Sequence, residues 1–411
     1  MLTFLRANFR WLACGFLLTL FSSFGQTFFI GLSGSEIRRT FHLSGGAFGG
    51  LYMVATLGSA LTLPWLGRLL DVMPAWRVAL FVLPALAVSC LLFPFMPNMI
   101  GLAIGLYLLR LFGQGMMTET AYTVVGRWFS ANRGRAISLI VPGHQTGEAI
   151  LPLAFVLVSA RIGWQGAWVL AAAVILLIAF PLIVFLLRIE RVPQSETLLA
   201  DVPVVRDWTQ AEVVRDPTFW MLLTGVLAPP FIGTTIFFHQ GYLIDLRGYD
   251  KLAFAAAFPV MAVTTIVFGL ICGALIDRFS AVRILPFFLA PLFVAILVAA
   301  LVTPVWGIYL FMLLFGVSYG FTSTLLGALW PEVYGTAHLG GIRAITVSGM
   351  VLATAVGPGL TGALIDAGID LPTQLLWMAA WCVIASIVLT FVARRLDTRV
   401  RSPENLEAHS A

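Results

Sequence analysis

Ionisable side chains are few inside the long apolar stretches of the sequence, and among them are Arg110, Glu119, His144 and Glu148. Such groups are costly at bilayer depth unless they are paired or face water, so they are candidates for function. In one interpretation Arg110 attracts an anionic ligand group while Glu119 or Glu148 carries a proton. In the other, Arg110 is a structural residue bonded to carbonyls or a glutamate, and His144 only fills space.

The spacing of these residues predicts that they share one polar face. Glu119 and His144 each lie roughly 13 Å along a helix from a basic end, marked by Arg127 and Arg135. Glu148 follows His144 by one turn and lies on the same side of its helix. The sequence therefore predicts a polar ladder along three helices, formed by Glu119, His144, Glu148, Gln114, Arg110 and Gln26.

A second group of residues could contact a ligand near the opposite end of the helices. His239 and Gln240 occupy the position in the second half that a duplication would pair with Gln26. Phe29 and Tyr242 belong to phenylalanine-rich stretches that could stack a flat ligand. The alternatives are an interfacial polar pair at a helix end and ordinary aromatic packing between helices. The predicted ligand contacts are Arg110, Gln26, Gln114, His239, Gln240, Phe29 and Tyr242.

The composition is that of a polytopic membrane protein. Of the 411 residues, 60% are hydrophobic and 10% charged, with a mean hydropathy of +0.97, values outside the range of soluble domains. Lys251 is the only lysine, so the sequence has no phosphate-binding Gly-x-x-x-x-Gly-Lys loop and any pumping must use an ion gradient or a partner ATPase. The four cysteines and five histidines lack metal-ligand spacing, so neither a metal nor another cofactor is predicted.

A span needs about 20 mainly apolar residues, and this length predicts an all-α membrane protein with twelve transmembrane helices. A charged linker, 189–217, separates two pseudo-symmetric six-helix halves, 1–188 and 218–394, and a polar tail, 395–411, follows. Thr209 and Glu212 have capping-box spacing within the linker, which predicts a short helix there. The predicted spans are 10–32, 45–66, 78–96, 99–126, 136–158, 165–188, 218–244, 252–273, 284–303, 305–330, 342–364 and 372–393.

The distribution of basic residues predicts the orientation. With the N-terminus inside, 18 of the 24 Lys and Arg residues fall in cytoplasmic segments, as the positive-inside rule requires. We therefore expect a multi-pass protein of the cell inner membrane with both termini in the cytoplasm.

One loop sequence occurs twice, 206 positions apart. Gly67, Asp71 and Arg77 follow the second span, and Gly273, Asp277 and Arg283 follow the eighth. A single Gly-x-Leu-x-Asp segment is compatible with an ordinary tight turn. Two copies in register instead indicate an internally duplicated transporter.

These loops resemble the conserved loop of the major facilitator superfamily, and the resemblance covers nearly the whole chain. It implies that Asp71 and Asp277 hold a neighbouring helix end by a contact that breaks and reforms during transport. Segments 110–115, 127–136, 163–168 and 216–220 resemble the oxalate/formate antiporter and monocarboxylate porter branch. That branch holds its carboxylate with cations in spans eight and eleven, whereas the apolar interiors of these two spans contain neither Arg nor Lys here.

The sequence thus predicts a secondary transporter, not an enzyme, that exposes a central site alternately to each side of the membrane. We expect proton coupling and a small organic anion such as a monocarboxylate as substrate. The alternative is an aromatic or heteroaromatic solute, such as a vitamin or drug, moved by uptake or efflux. The expected partners are the substrate, protons and the lipid bilayer, without nucleic acid, and the protein is expected to be a monomer.

Overall fold

The computed structural model describes residues 2–129, 133–189, 207–335 and 338–400, which form helices and no strand. Eleven helical stretches within these ranges are long and apolar enough to cross a membrane. In chain order they are α1 (Phe9–Gly31), α2 (Gly45–Gly67), α3 (Ala75–Phe95), α4 (Met99–Trp128), Arg135–Leu187, which comprises α5 and α6, α7 (Pro217–Phe238), α8 (Lys251–Phe279), α9 (Ala281–Leu301), α10 (Trp306–Tyr334), α11 (Gly341–Asp366) and α12 (Leu371–Asp397).

The stretch Arg135–Leu187 contains two spans. Its 53 residues would form a helix of about 80 Å, far longer than the bilayer is thick. Gly163 divides it, with φ 77° and ψ 164°, a conformation that a residue with a side chain rarely adopts. We therefore count 135–162 as α5 and 164–187 as α6, and the predicted twelve-helix fold is confirmed.

Three spans have irregular interiors. In α1, a 3₁₀ turn (Ser22–Gly25) is followed by Gln26 in an extended conformation. In α4, the segment Leu109–Met117 is π-helical, a form that is often found at functional sites. In α7, one helix ends at Val226 and the next begins at Ala228. Irregular backbone is tolerated at membrane depth only where it is buried in protein or lines a cavity.

The seventh span is shorter than the sequence predicts. Its helix ends at Phe238, and a separate helix, Gln240–Arg247, follows, whereas the hydropathy pattern extends the span to residue 244. His239 lies between the two helices and its backbone is not helical. Its ring bonds a carbonyl elsewhere in the chain, which favours this local break.

The chain forms two compact units. The first comprises Met1–Leu198, Ile236–Pro259 and Pro358–Asp366, and therefore contains α1 to α6. The second comprises Leu199–Thr235, Val260–Gly357 and Ala367–Ala411. The six-helix halves 1–188 and 218–394 remain a prediction.

The described part of the linker contains the predicted short helix, Gln210–Arg215. Thr209 and Glu212 form the capping box: the Thr209 hydroxyl accepts from the Glu212 backbone, and the Glu212 carboxylate accepts from the Thr209 N–H at 2.8 Å. Just before it, the backbone N–H of Trp208 donates to the carbonyl of Tyr334 at 3.0 Å. These bonds hold the end of the linker against the end of α10.

Candidate functional site

The break in α1 is produced by close contact with α4. A Cβ atom at Gly25 would lie 2.2 Å from the carbonyl oxygen of Leu109 and 2.6 Å from Cα of Gly113. A Cβ atom at Gly113 would lie 2.5 Å from Cα of Gly25. Only glycines allow two backbones to approach so closely. This contact places the irregular segments of α1 and α4 side by side.

Arg110 lies at this contact and is 3% exposed. Its Nη1 donates to the carbonyl of Gly25 at 3.4 Å and to the hydroxyl of Thr27 at 3.3 Å. Its guanidinium carbon lies 5.3 Å from the centre of the Tyr52 ring, a cation–π contact. The Tyr52 and Thr27 hydroxyls lie 2.5 Å apart, while Nε of Arg110 is buried without a hydrogen-bond partner. Arg110 is therefore a buried positive charge with capacity for one more acceptor.

Two glycines pack α5 against the same part of α1. A Cβ atom at Gly143 would lie 2.2 Å from the carbonyl oxygen of Phe16, and one at Gly147 would lie 2.1 Å from the hydroxyl of Ser23. Their spacing is the Gly-x-x-x-Gly pattern that lets membrane helices approach. His144 and Glu148 each follow one of these glycines. The packing of α5 thus brings both ionisable side chains close to the α1 break.

His144 and Glu148 are in contact one turn apart on α5. His144 Nε2 lies 3.4 Å from Oε1 of Glu148. Glu148 is 4% exposed, and its second oxygen, Oε2, is buried without a hydrogen-bond partner, as is Oε1 of Gln145. The ring of Phe28 lies 6.2 Å from that of His144. This pair can hold or release a proton within α5.

The remaining residues of the predicted ladder are more open. Gln26 and Gln114 are half-buried, and neither side chain makes a hydrogen bond with the residues that the structure describes. Both amides are therefore available to a ligand. Glu119 is exposed and accepts a bond from the Thr123 hydroxyl at 3.0 Å, so its surroundings differ from those of the buried Glu148.

The second group of predicted contacts lies mostly within the protein interior. The ring Nε2 of His239 lies 2.9 Å from the carbonyl oxygen of Pro358. The Gln240 amide donates to the carbonyl of Phe28 at 2.7 Å, while its own Oε1 is buried without a partner. Phe29 is 1% exposed and Tyr242 is half-buried. The ring of Phe29 lies between 5.0 and 5.2 Å from those of Phe24, Phe155 and Trp168.

The first repeated loop follows α2 directly. Gly67 is the last residue of α2, and Arg77 is exposed in the first turn of α3. The side chain of Asp71 lies outside the described part of the chain. Arg127, near the end of α4, donates from Nη1 to the carbonyl of Leu70. The loop is thus tied to α4 through its backbone.

The second repeated loop is held by a carboxylate that the repeat does not contain. Gly273 and Asp277 lie in α8, and Asp277 is exposed. Glu332 of α10 instead accepts from the backbone N–H groups of Ala281 and Val282, at 2.9 and 3.4 Å, at the start of α9. Arg283 pairs with Asp397 at 3.8 Å. The helix dipole favours a carboxylate at the position of Glu332.

The family model of the Major Facilitator Superfamily matches residues 15–358, most of the chain and both repeated loops. The chain belongs to this superfamily. Superfamily proteins are transporters, so this multi-pass membrane protein is a transporter rather than an enzyme. No significant match was found among curated proteins.

Solved structures of superfamily transporters have the same fold along their whole length. A bacterial homologue of the human lysosomal transporter Spinster, in an inward-facing and unoccupied conformation, matches with a TM-score of 0.76 at 17% identity, covering 96% of this chain and 98% of that chain. The nucleoside transporter NupG matches with a TM-score of 0.71 at 12% identity, covering 93% and 99%. At such identities the likeness establishes the fold alone.

Sequence reasoning missed one cation of this superfamily member. Arg343 lies in the first turns of α11 and lines a cavity of about 340 Å³. It stands at the second position of predicted span eleven, 342–364, and was not included among the cations of that span. A signal was present: Arg343 is the only basic residue in predicted span eleven.

Proposed function

We propose that this transporter couples the movement of a small organic anion, such as a monocarboxylate, to that of a proton. The observation that carries the proposal is the contact at 3.4 Å between half-buried His144 and buried Glu148. Ionisable groups inside a membrane helix commonly mark ion pathways and proton relays. A carboxylate and an imidazole in contact can exchange one proton as their surroundings change. Glu148 and His144 are therefore the proposed proton carrier, with the exposed Glu119 as the competing carboxylate.

Arg110 is the proposed source of positive charge for the anion. Its guanidinium contacts the carbonyl of Gly25 and the hydroxyl of Thr27, but Nε has no hydrogen-bond partner among the described residues. Gln26 lies between these two residues in the sequence and its amide has no bond to the described residues. An anion at the α1 break could therefore bind both the charged guanidinium of Arg110 and the neutral amide of Gln26. This arrangement supports anion transport.

Alternating access requires contacts that can break, and the first unit contains several. Asp366, the last residue of α11, accepts from the backbone N–H groups of Gly45 and Gly46 at 2.9 and 2.8 Å. Lys251 at the start of α8 pairs with Glu36. In our proposal these contacts form the outer gate, which opens when the site faces the outside of the cell.

The proposal also states in which membrane the protein lies and how it is oriented there. The predicted location is the cell inner membrane, with both termini in the cytoplasm and the protein acting as a monomer. The basic residues of the cytoplasmic segments support this orientation. Uptake and efflux are both compatible with it.

The test is a transport assay with the purified protein in liposomes that enclose a pH-sensitive dye. Formate, lactate, pyruvate and oxalate are added outside, each with and without an inward proton gradient. We expect at least one of them to carry protons inward faster than in protein-free liposomes, which measure passive diffusion of the acid. Transport of an anion without proton movement would overturn the coupling. Absence of transport for all four would overturn the assignment to small organic anions.

A further inference from the structure

The second unit contains a cavity of about 340 Å³ between α7, α10 and α11. Ligand pockets typically occupy about 300–1,000 Å³ and combine apolar walls with a few polar groups. The cavity is at the lower end of this range, a size that suits a solute of one or two rings. Six of the lining residues carry the argument: Pro229, Tyr319, Thr322, Gly327, Trp330 and Arg343.

Glycine keeps this cavity open. Gly327 of α10 is exposed, and a Cβ atom built on it would meet no other atom within 4 Å. On the facing helix, a Cβ atom at Gly233 would lie 2.8 Å from the hydroxyl of Tyr319. Helix α7 is broken at Leu227, just before Pro229 and Pro230. The space beside Gly327 is therefore free for a ligand, whereas Gly233 serves packing.

Aromatic rings form one side of the cavity. Trp330 lies 5.8 Å from the ring of Phe219 and is stacked on Tyr334 at 6.3 Å. The ring of Tyr319 lies 4.8 Å from that of Phe315. Their neighbours fix both lining rings in place, so they present a rigid apolar surface. Rings of this kind favour flat, polarisable ligands.

Among the polar residues that line the cavity, Arg343 and Thr322 have groups available to a ligand. Arg343 is exposed, and it makes no hydrogen bond or ion pair with any residue that the structure describes. The hydroxyl of Thr322 is buried and has no hydrogen-bond partner in the described part of the chain. A guanidinium binds a carboxylate through two parallel hydrogen bonds, and a buried hydroxyl without a partner is costly. A ligand with one carboxylate and a further polar atom would satisfy both groups.

We propose that this cavity binds a flat aromatic or heteroaromatic monocarboxylate. The carboxylate pairs with Arg343, the ring lies against Trp330 and Tyr319, and the Thr322 hydroxyl meets a polar atom of the ligand. A single arginine favours one carboxylate over a dicarboxylate or a nucleotide. The apolar walls favour a ring over formate or lactate, which have little surface to bury.

This inference rests on the proposed function only in taking the ligand to be an organic anion. It adds a binding site within the second unit, separate from the Arg110 site, where a ring lies in the cavity and Arg343 pairs with the carboxylate. Binding at equilibrium tests it, whereas proton-coupled flux tests the proposed function.

The probes are 1-naphthoate and its uncharged counterpart 1-naphthamide, which test the ring and the carboxylate without the further polar atom, and they are titrated calorimetrically into the detergent-purified full chain. We expect naphthoate to bind more tightly than naphthamide. Arg343→Gln should weaken naphthoate binding by at least about tenfold, because a charge-assisted pair is lost, and leave the affinity for naphthamide unchanged. Arg343→Lys should recover part of the lost affinity, since it restores the charge without the planar pair of donors.

Gly327→Leu tests the location of the ring. Leucine is the better helix former and meets no atom at this position, so this variant should fold and yet lose naphthoate binding. Gly50→Leu is the matched control, because a Cβ atom at Gly50 in α2 also meets nothing within 4 Å. It should bind naphthoate normally.

Three results would overturn the inference: equal binding of naphthoate and naphthamide, naphthoate binding that survives both Arg343→Gln and Gly327→Leu, or equal loss in Gly50→Leu and Gly327→Leu. If lactate or pyruvate carries protons and naphthoate does not bind, the inference fails and the proposed function stands. If naphthoate binds as described and no carboxylate carries protons, the inference stands and the proposed function fails.

Discussion

At the scale of single residues, the main result is that two buried ionisable side chains are incompletely hydrogen-bonded. Arg110 and Glu148 are both nearly inaccessible, at 3% and 4% exposed, yet each keeps one polar atom without a partner. Most buried polar atoms in proteins are hydrogen-bonded, and exceptions call for an explanation. In this protein the explanation would be that Arg110 binds the substrate and Glu148 binds a proton during the transport cycle.

Arg110 bonds the backbone of α1 and is also proposed to bind the substrate. One substitution can distinguish the effect on stability from the effect on substrate binding. Arg110→Gln should lower the free energy of unfolding by about 1–3 kcal/mol, because the carbonyl of Gly25 loses its donor. It should also raise KM for the transported carboxylate, because the charge is gone. Thermal unfolding in detergent and transport kinetics in liposomes measure the two effects.

The control for this experiment is Arg161→Gln, at an exposed arginine that makes no bond with the described residues. It should change neither quantity. If Arg110→Gln destabilises the protein and leaves KM unchanged, Arg110 is a structural residue and the anion is bound elsewhere.

At the scale of elements, glycine contacts decide where α1, α4 and α5 meet. Gly25 and Gly113 bring α1 and α4 together, and Gly143 and Gly147 bring α5 onto α1. Apolar surface is not a driving force between helices in lipid, so close packing takes its place. These contacts hold Arg110 and the His144–Glu148 pair near one short segment of α1.

Asp366 joins two elements of the proposed outer gate. A carboxylate at a helix N-terminus contributes about 0.3–1 kcal/mol, and Asp366 accepts two N–H groups at the start of α2. Asp366→Asn removes the charge, so we expect the gate to open more often. Amide hydrogen exchange of residues 45–50 should then be faster than in the unmodified protein.

Asp370→Asn is the matched substitution, since Asp370 caps its own helix α12 through the N–H of Thr373 at 2.9 Å. Exchange at 45–50 should be unaffected in that variant. Equal exchange rates in all three proteins would contradict a gating role for Asp366.

The sequence predicts the membrane-spanning helices better than it predicts the irregular segments within them. Long apolar runs indicate spans because each must cross the bilayer, and the Thr209–Glu212 capping box depends on residues three apart. The break at Gln26 depends instead on Gly113, far along the chain. Local propensity does not report such a contact. The same applies to Asp366, which meets α2 more than 300 residues before it.

The sequence predicted which types of residue form the candidate site, but not most of the contacts between them. The pairing of His144 with Glu148 follows from helical spacing, and the structure contains it. The cavity at Arg343 was not foreseen, because its walls come from α7, α10 and α11 and meet only in the folded chain. The roles of the individual site residues remain predictions.

At the scale of the whole molecule, superfamily membership establishes transport, and the central claim is that Glu148 couples transport to protons. The decisive measurement compares two assays in liposomes on Glu148→Gln, Glu119→Gln and the unmodified protein. One assay measures accumulation of the transported carboxylate driven by a pH gradient. The other measures exchange of labelled for unlabelled carboxylate without a gradient.

Glutamine at position 148 cannot release a proton but can still fill the space beside His144. The account predicts that Glu148→Gln loses accumulation and keeps exchange, while Glu119→Gln, at an exposed position, keeps both. Normal accumulation in Glu148→Gln, with or without its loss in Glu119→Gln, would contradict the assignment of Glu148 as the proton carrier.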